Sequence, residues 1–157
     1  MSRDRGRGGF DTDLANTALL SLGSAAYGLR ELDAQRSAQV AEVLETALHR
    51  ADSANETGMA IKALSNTSDP AQARTIAPYL DSPSEFVRSS AARAYGQLQG
   101  EGAADALSSR LETEPSARVR VALASGLVEV EQASPASVVL VAQHVRSEPQ
   151  AEARQQM

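Results

Sequence analysis

The sequence predicts an all-α chain, an α-α superhelix of about four stacked antiparallel helix pairs. Three observations predict it. The pattern proline, three residues, a small apolar residue, arginine occurs three times: Pro83 with Val87-Arg88, Pro115 with Val119-Arg120, and Pro149 with Ala153-Arg154. The prolines lie 32 and 34 residues apart. The helices that follow share one apolar phase, and shorter segments between them share a second, both at the i, i+3/i+4 spacing that puts residues on one helical face. A helix pair of this size cannot bury its stripe alone, so neighbouring pairs must stack.

The elements follow in order. Residues 1–10 hold Arg3, Arg5 and Arg7 among glycines. They read as a disordered tail, since no apolar stretch follows to make a signal peptide. The domain then runs from 11 to 157. Its first helix carries Leu14, Ala18, Ser21, Leu22 and Ala25 in the main phase. The first repeat is longer than the others by residues 27–37 and a longer second helix, so it is an extended pair or holds a long loop. That second helix carries Val40, Val43, Leu44, Ala47 and Leu48.

Ser53 and Glu56 form a capping box before Ala60, Ala63 and Leu64. Asp69-Pro70 starts a short helix with Ala73, Ile76, Ala77 and Leu80, which Pro78 should kink or end early. Ser82 and Glu85 read as the box for the helix of Val87, Ala91, Ala94, Tyr95 and Leu98. Gly100 and Gly102 break the chain before Ala104, Leu107, Ser108 and Leu111. Thr113 or Glu114 caps the helix of Val119, Leu123, Gly126, Leu127 and Val130. Ser134-Pro135 opens a helix with Val138, Val141, Ala142 and Val145, and Ser147 with Gln150 caps the last copy. That copy has only begun at Arg154, so the chain reads as part of a longer array or as one whose last turn frays, and its open C-terminal repeat would suit a homodimer.

Composition bounds the function. Hydrophobic residues make up 42% of the 157 and aromatic residues 3%, with no Trp. Such a core rests on Ala, Leu and Val, which suits close-packed helices. The net charge of −5 weighs against nucleic acid as a partner, because phosphate contacts need clustered Lys and Arg. The absence of Cys removes disulfides, thiol catalysis and Cys-ligated zinc. No apolar run reaches the roughly 18 residues of a membrane span.

The segment Leu80-Asp81, followed by Val87-Arg88-Ser89-Ser90-Ala91-Ala92-Arg93-Ala94-Tyr95-Gly96-Gln97-Leu98, resembles the HEAT repeat. In that family a Leu-Leu-x-Asp turn precedes Val-Arg-x-x-Ala-Ala-x-Ala-Leu-Gly-x-Leu. The Val119-Arg120 copy is looser, with Gly126 one place off and Glu112 where Asp is expected. The likeness covers residues 53–147, and 12–50 more loosely. It implies a non-catalytic scaffold that binds another protein or peptide. A narrower likeness joins Thr17-Ala18-Leu19-Leu20-Ser21-Leu22-Gly23-Ser24-Ala25-Ala26-Tyr27, a long helix, then Met59-Ala60-Ile61-Lys62-Ala63-Leu64-Ser65-Asn66, then Ile76-Ala77-Pro78-Tyr79-Leu80. This order resembles the helical domain of vitellogenin-like large lipid transfer proteins, although Ser65-Asn66 stands where that family has Gly-Asn. It implies the alternative of a lipid-binding partner segment, with Val121, Val128 and Val139 as exposed apolar positions off the core stripes.

The resemblance places the helices that carry Val-Arg on the concave side. Their outward positions are the candidate partner-binding residues: Lys62, Ser65, Ser90, Arg93, Gln97, Ala122, Ser125 and Glu129. Arg88, Arg120 and Arg154 form a structural ladder, Arg88 with Asp81 and Arg120 with Glu112 or Glu114; aligned arginines would also suit an acidic peptide or phosphate. No catalytic set, cofactor site or metal site is expected. His49 and His144 have no second ligand one turn away and read as solvated or capping residues. Asp11 and Asp13 complement a helix N-terminus. Gly6, Gly8 and Gly9 lack the strand-then-helix setting of a phosphate loop. Ser89-Ser90 has no His or Lys partner. A helical-repeat DNA glycosylase or lyase would need aromatic or basic groove residues that this chain does not offer.

Overall fold

The computed structural model describes residues 5–99 and 102–130. Every element among them is helical, which places the chain in the all-α class, as an α-α superhelix. The third proline motif with Arg154, the Val138–Val145 stripe, Val139, His144 and Gly100 lie outside the described residues. The chain divides into two compact units between Thr67 and Ser68.

The first unit holds α1 (Arg5–Leu29), α2 (Ala34–His49) and α3 (Ala54–Ser65). The extra length of the first repeat is spent on long helices, not on a loop. The turn at 30–33 is closed by Asp33 N donating to Leu29 O at 2.7 Å, and the Asp33 carboxylate caps α2 at Arg36 N, 3.0 Å. α1 opens at Arg5, inside the stretch expected to be a tail. Three glycines disfavour that turn by about 1 kcal/mol each, so it forms as the extension of a long helix and not by its own propensity.

The face of α1 also differs from the expected one. Leu14, Ala18, Ser21 and Ala25 are exposed and Leu22 is half-buried, whereas Gly23 and Ala26 are buried. The reason lies at Gly23, whose Cα rests on the carbonyl oxygen of Ala63 in α3, leaving no room for a Cβ. The contact therefore centres on a residue without a side chain. On α2, Ala41, Leu44 and Leu48 are buried and Ser37 donates to Ala26 O at 2.8 Å, while Val43 is 55% exposed.

The expected cap of α3 is present, with the returning bond of the box shifted one residue, from Ser53 N to Asp52 N. Ser53 Oγ accepts from Glu56 N at 3.2 Å, and Glu56 Oε2 accepts from Asp52 N at 2.9 Å. Ser53→Ala should cost about 1 kcal/mol in urea unfolding. An unchanged midpoint would show that the cap contributes nothing.

Near the start of the second unit the Asp69 carboxylate accepts from Ala71 N and caps the turn that Pro70 opens. Pro78 fragments the next segment as expected: 3-10 turns at Pro70–Gln72 and Ala77–Asp81 flank a single turn, α4 (Ala73–Ile76). There follow α5 (Glu85–Leu98), α6 (Ala103–Thr113) and α7 (Ala117–Val130). Gln99 at φ 49° and Gly102 at φ 73° make the α5–α6 corner in left-handed conformations.

The stripes of α5 and α7 are buried as expected, apart from Val130, which is half-buried. The caps lie beyond the prolines and not before them, two residues on from Ser82 and Glu114. Ser84 and Ser116, which follow the two prolines, hold the N-cap places, with Oγ 3.5 Å from Val87 N and Val119 N. Ser82, Thr113 and Glu114 are not the caps. The prolines stand outside their helices, where the fixed φ shapes the approaching turn.

Gly96 of α5 packs on the backbone of Gly126 in α7, and a Cβ on Gly126 would lie 2.6 Å from Ala92 O. Further on, Gln99 Nε2 donates to Glu129 O at 2.9 Å. Contacts that advance together along both chains mean that α5 and α7 run parallel. Gly23 stands nine places after Leu14, and Gly96 nine places after Val87. Both meet the next main-phase helix at the position of Ala63 or Gly126. The same backbone-on-backbone seat thus recurs in the two units.

Candidate functional site

The motif arginines close their own turns. Arg88 Nη1 donates to the carbonyls of Ser82 (2.8 Å) and Pro83 (3.2 Å); Arg120 Nη1 donates to those of Glu114 (3.1 Å) and Pro115 (2.8 Å). The acceptors lie six and five residues back in both copies, which explains why arginine recurs at a fixed distance from proline. The expected partner of Arg88 is corrected. Arg88 Nε and Nη2 bind Glu114 Oε2 and Oε1 at 3.0 and 2.9 Å, a fork on the turn of the following repeat. Asp81 instead pairs with Arg110 at 2.7 Å. The guanidinium has spent Nη1 on its own turn, so its remaining edge faces onward to α7 and away from Asp81.

The side chain of Glu114 is 1% exposed and that of Arg88 12%. Burial pushes the Glu114 carboxyl up, but hydrogen bonds from Arg88 and the Ser116 amide, with the charges of Arg88 and Arg110, hold it below the ordinary carboxylate range. The hydrogen bond to Glu114 raises Arg88 in turn. Arg88 is therefore a structural residue whose donors are committed, not a receptor for an acidic ligand.

The outward positions behave differently. Arg93 and Gln97 on α5 converge with Ser125, Gly126 and Glu129 on α7 to line one groove of about 430 Å³. Ser125 is the equivalent of Arg93 one 32-residue repeat on, and Glu129 that of Gln97. Arg93, Gln97 and Glu129 are exposed. Ser125 is half-buried and donates its hydroxyl to Val121 O at 2.9 Å. Neither Arg93 nor Glu129 is ion-paired among the described residues.

The groove takes four of the expected binding residues. Lys62 is exposed on α3 in the other unit, and Ser90 is half-buried with its hydroxyl on Phe86 O at 2.8 Å. Ser65 and Ala122, expected on this outward face, are buried. Gly126 is a lining residue that the outward positions do not include; its signal is the small residue at the seventh place of each main-phase helix. Arg93→Ala should leave the melting temperature within about 2 °C of the parent, whereas Arg88→Ala should lower it by several times that. Equal shifts would remove the distinction between the two arginines.

A second groove, about 310 Å³ and mainly apolar, lies on the first unit between α1 and α2. Leu22, Leu29, Val40 and Val43 line it, with Arg36 and Gln39. The expected exposed apolar positions are only partly right: Val128 is 53% exposed, but Val121 is 2% exposed and belongs to the core. His49 caps its own helix, with Nδ1 2.7 Å from Glu45 O. Among the described residues no cluster of three His, Asp or Glu could hold a metal ion, and no helix is long and apolar enough to cross a membrane.

A family model described as HEAT repeats matches residues 41–128, more than half of the chain. No curated protein and no solved structure matches it.

Proposed function

The chain belongs to the HEAT-repeat family, and from that premise we propose that it is a non-catalytic scaffold that holds another protein along the α5–α7 groove. HEAT repeats commonly serve as protein-interaction scaffolds and are typically non-catalytic. One observation carries the reading. Equivalent positions of two consecutive repeats supply polar side chains to one groove, and among the described residues neither of its two exposed charges, Arg93 and Glu129, is ion-paired. Charged side chains set at fixed intervals by the repeat and open to solvent are what a binding face needs.

Blocking the groove tests this. Gln97→Trp adds bulk to an exposed site and should leave the fold intact. Proteins that co-purify with the parent chain from its source cells should be lost with Gln97→Trp and kept with Val43→Glu on the other unit. The same set of proteins with all three chains would overturn the proposal.

The apolar groove between α1 and α2 favours a second reading, lipid binding. Native mass spectrometry before and after solvent extraction decides it. A bound small-molecule mass that extraction removes supports lipid binding, and a bare chain in both spectra rejects it.

A further inference from the structure

We infer that the partner of the α5–α7 groove presents a paired acid and base on an extended segment, the acid to Arg93 and the base to Glu129. This rests on the reading of that groove as a protein-binding face. The two charges are opposite and exposed, neither is ion-paired among the described residues, and they line the same groove. A purely anionic partner, such as a phosphate chain, would meet Arg93 but bring its charge against Glu129. A purely apolar partner would strip water from both charges without replacing it. Only a segment carrying both signs satisfies the groove.

Spacing narrows the segment further. Neighbouring parallel helices stand about 8–10 Å apart. Glu129 lies four residues, one turn, beyond the repeat equivalent of Arg93, which adds about 6 Å along the axis. The two Cα atoms are thus separated by roughly 10–12 Å. An extended chain rises about 3.3 Å per residue and turns alternate side chains to opposite faces, so an acid and a base four residues apart, on one face and about 13 Å from each other, match that span. The groove floor suits a backbone between them. The Ser125 oxygen, having donated its proton to Val121 O, keeps lone pairs for an incoming N–H. Exposed pairs of this kind set order and register more than raw affinity.

The test is selection from a random-peptide phage library on the full chain and on Arg93→Glu/Glu129→Arg, with Gln97→Trp as the blocked control. Both exchanged residues are exposed, and the melting temperature of the swapped chain should match the parent. The parent should enrich peptides with an acid and a base four residues apart in one order, and the swapped chain the reverse order. Each single reversal should weaken a selected peptide by about fivefold. Groove-dependent peptides without the charge pair, or an order unchanged by the swap, would overturn the pairing and leave the binding-face reading standing. If no peptide is enriched over the blocked control, both fall.

Discussion

Glu114→Ala is expected to lower the unfolding free energy by about 3 kcal/mol. Removing one partner of a buried ion pair costs about 3–5 kcal/mol, because the other charge stays behind without compensation. The lower end applies here, since Arg88 would keep the carbonyls of Ser82 and Pro83. Urea unfolding of the full chain measures it, and a loss under about 0.5 kcal/mol would show the fork to be ornamental. Acid should act by the same route. The folded carboxyl titrates below its unfolded value, which is about 4.3. Its contribution is therefore complete above that value and is lost as pH falls through the lower, folded one. Glu114→Gln should flatten the stability curve below about pH 4 relative to the parent.

The second large effect lies at the glycine seat. Gly126→Ala places a methyl 2.6 Å from Ala92 O and 3.2 Å from Leu107 Cδ1. The first neighbour is backbone, so α5 itself must move. Overpacking of this kind costs about 1–3 kcal/mol, more than the ~1 kcal/mol that Ala gains over Gly in a helix. Gly96→Ala, aimed at the Gly126 backbone, should cost at least as much. Gly28 supplies the contrast. It lies in α1, and apart from its own turn of helix nothing stands within 4 Å of the place a methyl would take there. Gly28→Ala should therefore stabilise by a few tenths to about 1 kcal/mol. Thermal melts of the three variants should separate in sign; a destabilising Gly28→Ala together with a neutral Gly126→Ala would refute the seat.

The stripes of α5 and α7 are legible in the sequence because their contacts are made by side chains, which periodicity counts. The phase of α1 is not, because its central contact is Gly23, which contributes nothing to an apolar pattern. Aligning glycines finds it, since Gly23 follows Leu14 at the interval by which Gly96 follows Val87. The caps slip because serine both precedes and follows Pro83, and only geometry says which hydroxyl faces the helix. Sequence proximity points Arg88 to Asp81, although its free edge reaches an acid 26 residues on. The outward row Arg93, Gln97, Ser125 and Glu129 is readable because the repeat interval is regular there. The apolar groove of α1 and α2 is not, since it depends on which face α1 turns to α3.

One carboxylate ties several parts of the second unit. Glu114 ends α6, receives the Ser116 amide at the start of α7, and is gripped by Arg88 from α5. The motif that builds each repeat thereby also writes the coupling to its neighbour, the nearest-neighbour energy that governs cooperativity in linear repeat arrays. Opening the 114–116 turn releases the first turns of both α5 and α7. Their amides should exchange with solvent together, as one unit, and in Glu114→Ala they should exchange independently.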